Sequence, residues 1–231
     1  MSLMKYLYNQ IKSSFEEHPR RFFTEHDIHS ELALIATEFL RNRGNLQAKT
    51  PDGFVVDRIH HEYPTPFRCL MKGSEFRLVS EEEFRREKRK NPNFRARRGY
   101  VDFVVFNSEY VSSNQLRVVS GKRYRDFRAS LSERTCPALD LAAEVVYFPT
   151  FDDKPHYGIM NRRVSSTIQD YKKLVELMRF ATPNDIPFCK EATMMFFSNT
   201  KYEDYLNKKF SSFPLSEKVK FFRILCASGA P

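Results

Sequence analysis

The chain contains no tryptophan and only 7 glycines in 231 residues. Glycine this scarce excludes collagen-like and low-complexity classes, and 22 phenylalanines point instead to a globular core rich in aromatic rings. The four cysteines, Cys69, Cys136, Cys189 and Cys226, are far apart and lack paired metal spacing. They read as reduced thiols, not as a disulfide framework or a zinc cluster. No apolar run approaches the roughly 20 residues that span a bilayer. No signal-peptide pattern is visible at the start, so the expectation is a cytoplasmic protein with no membrane partner. Walker A and GxGxxG segments are missing, which leaves nothing to support nucleoside triphosphate or dinucleotide binding.

Positive charge is abundant and concentrated. The formal net charge is +9, and residues 85–98, "RREKRKNPNFRARR", hold eight basic residues and one acid. A patch of this density suits a polyanion. Arg85, Arg86, Lys88, Arg89, Lys90, Arg95, Arg97 and Arg98 are therefore candidate phosphate contacts. The aromatic residues interleaved in "NFRARRGY" and "KRYRDFR" are compatible with contacts to bases or with anchoring of loops to the core.

Periodicity gives one domain of alternating type. Residues 4–17 predict a helix with Leu7, Ile11 and Phe15 on one face. A second helix opens at Thr24, with Asp27 three residues on as in a capping box, carries Ile28, Leu32, Ile35 and Phe39 as its apolar stripe, and stops at Gly44. Strands are expected at 54–63, where "PTPF" should break the chain, and at 99–106, 115–119, 139–148 and 192–199. Helices are expected at 165–180 and 202–209, with another over 216–226. The sum is an α/β protein with a central mixed sheet of four or five strands flanked by helices. Its core is expected over about 24–205, with a basic insertion at about 80–98 and a C-terminal helical extension at about 206–231.

Two acids sit in the middle of apolar strands. Asp102 lies inside "YVDFVVF" and Glu144 inside "LAAEVVYF", where alternation puts Glu144 on one face with Ala142, Val146 and Phe148. Carboxylates on adjacent strands repel one another unless a proton or cation stands between them. Hard oxygen donors of this kind suit magnesium or manganese. Glu31 on the second helix falls beside its apolar stripe and can turn toward the sheet. "HHE" at 60–62 puts His60 and Glu62 on one strand face, with no third ligand at a telling spacing for zinc. Glu62 is an additional acid candidate near Asp102.

A helix with a glutamate, then "RRGYVDFVVF", "AAEVVYF", a helix "IQDYKKL" and a strand "MMFFSN" together resemble the PD-(D/E)XK nuclease superfamily, the restriction-endonuclease-like fold. "HHEYP" ahead of "RRGYVDFVVF" adds to the likeness, which covers roughly residues 24–205. The resemblance implies a divalent-metal phosphodiesterase acting on nucleic acid, most naturally DNA, and is compatible with a homodimer. Asp102 and Glu144 would be metal ligands for magnesium or manganese, and Glu31 would be the assisting helix acid. The family's lysine, two residues after the strand acid, is Val146 here. Lys173, which flanks the stripe of Leu174 and Leu177, is the candidate replacement, whereas Lys172 points away. The interval of 42 residues between Asp102 and Glu144 implies an insertion carrying Arg117, Lys122, Arg123, Arg125 and Arg128. The alternative is a degenerate nuclease fold that serves as a binding or assembly module.

Overall fold

The computed structural model describes residues 1–18, 21–22, 24–72, 75–114, 133–148, 157–211 and 215–226. Residues 115–119 and the basic segment with Arg117, Lys122, Arg123, Arg125 and Arg128 lie outside them.

Helix α1 (Leu3–Glu17) buries Leu7, Ile11 and Phe15 at the spacing expected of an amphipathic helix. Helix α2 (Glu25–Arg41) begins with a complete capping box, in which Thr24 accepts from the Asp27 amide and the Asp27 side chain accepts from the Thr24 amide. A two-stranded ribbon, β1 (Gln47–Lys49) and β2 (Val55–Asp57), leads into the long strand β3 (Ile59–Lys72). Then follow β4 (Glu75–Val79), helix α3 (Glu81–Lys90), β5 (Arg97–Phe106), the short α4 (Ser108–Ser113) and β6 (Leu139–Tyr147). Helix α5 (Tyr157–Arg179), β7 (Cys189–Asn199), helix α6 (Glu203–Phe210) and β8 (Val219–Cys226) complete the described chain.

Six strands form one mixed sheet in the order β4-β3-β5-β6-β7-β8. The pairings from β4 through β6 are antiparallel, and β6, β7 and β8 run parallel. Parallel strands need crossovers, and α5 and α6 supply them. Helices α1 and α2 cover one face over Phe103, Val105, Ala143, Val145 and Phe197. The other face packs Val104, Ala142, Val146 and Phe196 against Tyr171, Leu174 and Leu177 of α5. The protein is thus an α/β structure with a mixed sheet between helical layers. Among the described residues no helix is long and apolar enough to cross a membrane.

Three expectations change. The central sheet has six strands, not four or five, because β4 and β8 add an edge on either side. "PTPF" does not end its strand; β3 runs through it with a register shift between Pro64 and Arg68, where Thr65 Oγ1 donates to the Phe67 carbonyl. A proline at a bulge removes no ladder bond, which is why the strand survives. The segment expected as a helix at 216–226 is instead strand β8, parallel to β7. Its short apolar run fits either period, and the open edge of β7 decides between them.

One end of the sheet is tied by Arg58. This residue is buried, donates from Nε to the Phe106 carbonyl (2.7 Å) and from Nη1 to the Asn45 carbonyl (2.7 Å), and pairs with Asp140 through Nη2. Removing the guanidinium leaves the Phe106 and Asn45 carbonyls without their donor, while Asp140 keeps Lys190 and Asn107. Arg58→Met is expected to lower unfolding free energy by about 2–4 kcal/mol, measured by urea denaturation, and Asp140→Asn by less because both carbonyl bonds remain.

Candidate functional site

The β5–β6 ladder stops at the pair Phe103–Ala143, and beyond it the strands part. Parting leaves backbone groups on both edges without strand partners, and buried groups of that kind need substitutes. Charged side chains supply them. Asp102 Oδ2 accepts the Val145 amide at 2.9 Å. Two residues along the same edge, the Tyr147 amide donates to Glu25 Oε2 at 3.3 Å. On β5, the Tyr100 carbonyl accepts from Lys173 Nζ at 2.5 Å. The polar cluster and the interruption of the sheet are therefore one feature.

Glu144 lies on the α5 face of β6 and is almost fully buried. Lys173 Nζ stands 2.8 Å from its Oε1 and 3.0 Å from Asp170 Oδ1, and is itself buried. The amine aligns its hydrogen bonds on Tyr100 O and Asp170. Its approach to Glu144 Oε1 is an ion contact off hydrogen-bond geometry, and that oxygen has no aligned donor. Space for the lysine comes from Gly99, where a Cβ would fall 2.7 Å from Lys173 Cδ. Val146 belongs to the apolar core against α5, so no amine arises from β6 itself.

Electrostatics follow from this burial. Desolvation pushes the Glu144 carboxyl well above the usual carboxylate range, and Asp102 and Asp170 add to it against the opposing pull of Lys173. Burial also raises Asp170 and Glu25. Burial pulls the Lys173 amine down, but Glu144 and Asp170 more than restore it, so it stays charged at neutral pH. Among the described residues, four carboxylates, Glu25, Asp102, Glu144 and Asp170, face two cations, Lys173 and Arg163, the latter 3.1 Å from Glu25. A surplus of negative charge around a buried oxygen without an aligned donor favours uptake of a proton or a hard cation.

Of the residues expected from sequence, Asp102, Glu144 and Lys173 gather here. Glu31 does not: it pairs with Arg21 at 2.9 Å and accepts from Ser14 at 3.3 Å, on the side of α2 that faces α1. The α2 acid that reaches the sheet is Glu25. As the first residue after an N-cap it reads as an ordinary dipole partner, and only the helix docking reveals its second task. Asp170 is absent from the residues expected from sequence, although its place three residues before Lys173 on one helix face is a signal that finds it. Arg163 carried no sequence signal. Lys172 lies outside the cluster, in an open cleft with Phe76, Val175 and Leu215.

The basic candidates divide. Arg85, Arg86, Lys88, Arg89 and Lys90 on α3, and Arg95 after it, are exposed. Lys88 Nζ is taken up by the carbonyls of Pro92 and Phe94, and Arg86 pairs with Glu87 at 3.2 Å. Phe84 anchors α3 to the sheet beneath the Arg68 guanidinium, 4.1 Å from the ring centre. Arg97 and Arg98 lie on β5 opposite Cys69 and Arg68, immediately before Gly99. The basic stretch thus runs by chain continuity into the strand that carries Asp102.

Removing the amine should expose the carboxyl's preference. In Lys173→Met the folded-state value of Glu144 climbs further above its unfolded one. A carboxyl raised on folding contributes stability below its unfolded pKa and loses it as pH rises through the folded pKa. The deficit of Lys173→Met relative to the parent protein is therefore expected to be smallest at about pH 5 and to widen toward about pH 8, followed by urea denaturation across that range. Adding Glu144→Gln should remove most of the widening. No protein-family profile, no curated protein and no solved structure matches this chain.

Proposed function

We propose that the protein is a nucleic-acid-binding phosphodiesterase of restriction-endonuclease-like fold, acting most naturally on DNA with magnesium or manganese. The observation that carries this reading is the buried Lys173 amine 2.8 Å from Glu144, on the strand whose neighbour bears Asp102. The order of elements supports it as well: a helix, three antiparallel strands β3-β5-β6, a crossover helix and a parallel strand β7.

Asp102 and Glu144 would hold the divalent ion, and the donor set fits: carboxylate oxygens, one of them buried without an aligned hydrogen-bond donor, inside an acid surplus. When bound, such an ion supplies Lewis-acid polarisation of a phosphate oxygen and a more acidic water. The remaining work belongs to the chain. Lys173, kept charged by its two acids, cannot act as a base at neutral pH. It stabilises negative charge developing on the phosphate and orients the attacking water by hydrogen bonding. Asp170 and the Tyr100 carbonyl hold the amine in place, so its dipole and charge are preorganised. Arg163 and the exposed cations of α3 attract the polyanion. Phosphate contacts of this type position the strand without reading its sequence.

Plasmid and single-stranded DNA incubated with magnesium or manganese should be cut by the parent protein. Asp102→Asn, Glu144→Gln and Lys173→Met should each reduce the rate by about 10² or more. Equal residual activity in all four proteins would contradict catalysis. DNA binding with no cutting by any of them would favour the binding-module reading. Charge reversal of Arg85, Arg89 and Lys90 should weaken DNA binding and flatten its salt dependence, by about one unit of slope for each phosphate no longer neutralised, measured by fluorescence anisotropy in a salt titration.

A further inference from the structure

On the α2 side of the sheet, histidines gather beside Asp102. His26 and His29 are three residues apart on α2, their ring centres 5.8 Å from one another. His61, opposite Phe103 in the β3–β5 pairing, stacks on His29 with centres 6.1 Å apart. The His29 ring is mostly buried, and its Nε2 is wholly buried with no hydrogen-bond partner. That nitrogen faces Asp102 Oδ2 at 3.9 Å. An orphaned imidazole nitrogen is destabilising unless something occupies the space in front of it.

The separation identifies what fits. At 3.9 Å the pair is too far apart for a hydrogen bond. Two ligand bonds of about 2.1 Å each, on one tetrahedral ion, hold their donor atoms about 3.4 Å apart, so the pair would close by about 0.5 Å around an ion. The hydrogen bond that Asp102 Oδ2 accepts from the Val145 amide leaves a second lone pair on that oxygen. As they stand, no three donors among the described residues converge on one point. His26 and His61 are exposed, however, and a change of side-chain rotamer, with His61 leaving its edge contact to Phe103, completes the set.

We propose that His29 Nε2 and Asp102 Oδ2 are the first two ligands of a transition-metal site, completed by the exposed ring of His61, that takes zinc, cobalt or manganese in preference to magnesium. Imidazole nitrogen selects these borderline ions, whereas an all-oxygen set suits magnesium. The site shares Asp102 with the phosphodiesterase reading and does not require hydrolysis.

Isothermal titration of the full chain with zinc chloride tests the proposal, with cobalt absorption as a second readout of nitrogen ligation. The expected result is one equivalent bound, retained against about a hundredfold excess of magnesium. His29→Gln and His61→Gln should each weaken zinc binding by about tenfold or more. Because His61 is exposed, its variant keeps the fold and stands alone if His29→Gln does not fold. Zinc binding is read without DNA and without turnover, so a failure of this site and a failure of the phosphodiesterase reading are seen separately. Zinc affinity unchanged in His61→Gln, or zinc displaced by equimolar magnesium, would overturn the proposal.

Discussion

The interruption of the β5–β6 ladder after Phe103–Ala143 is the constraint on which the rest depends. A continuous ladder would bond the Val145 and Tyr147 amides to β5 and leave no room for side chains between the strands. Once the strands part, each exposed backbone group needs a partner, and the chain meets the need with Asp102, Glu25 and Lys173. Structural satisfaction and chemical capacity are here the same set of atoms. Such an arrangement resists drift: any of these side chains that leaves also uncovers a buried backbone group.

Burial then sets the character of the cluster. Glu144 on an open surface would be an ordinary carboxylate. Beneath α5 it is driven toward neutrality, and a single lysine cannot satisfy the acids around it. Delivery of the amine from a helix, not from β6, has a packing reason. Position 146 points into the core beside Val104 and Ala142, and valine fills it. The lysine arrives instead over Gly99, where the missing Cβ leaves a channel across β5.

Much of this was legible in the sequence, and the part that was not has physical causes. The helices at 4–17 and 24–44, and the strands bearing Asp102 and Glu144, follow from caps and alternation that tertiary packing did not override. Lys173, and not Lys172, lies beside the Leu174–Leu177 stripe, and that azimuth is the one that meets Glu144. The same logic points to Glu31, yet a helix has two flanks to its stripe, and periodicity alone does not say which flank faces the sheet and which faces α1. Glu25 is hidden in the sequence because a first-turn acid already has a sufficient local explanation. Strand β8 passes for a helix because eight residues with mixed apolar spacing do not fix a period until a neighbouring strand offers an edge.

The central claim is that the gap between β5 and β6 is where a divalent ion binds. Paramagnetic broadening of backbone amides by substoichiometric manganese tests it most directly. The account predicts that the amides of Asp102, Glu144 and Val145 broaden first, ahead of those beside exposed acids such as Glu16, Glu82 and Glu203. Broadening confined to the exposed acids, with the signals around Glu144 unchanged, would contradict it.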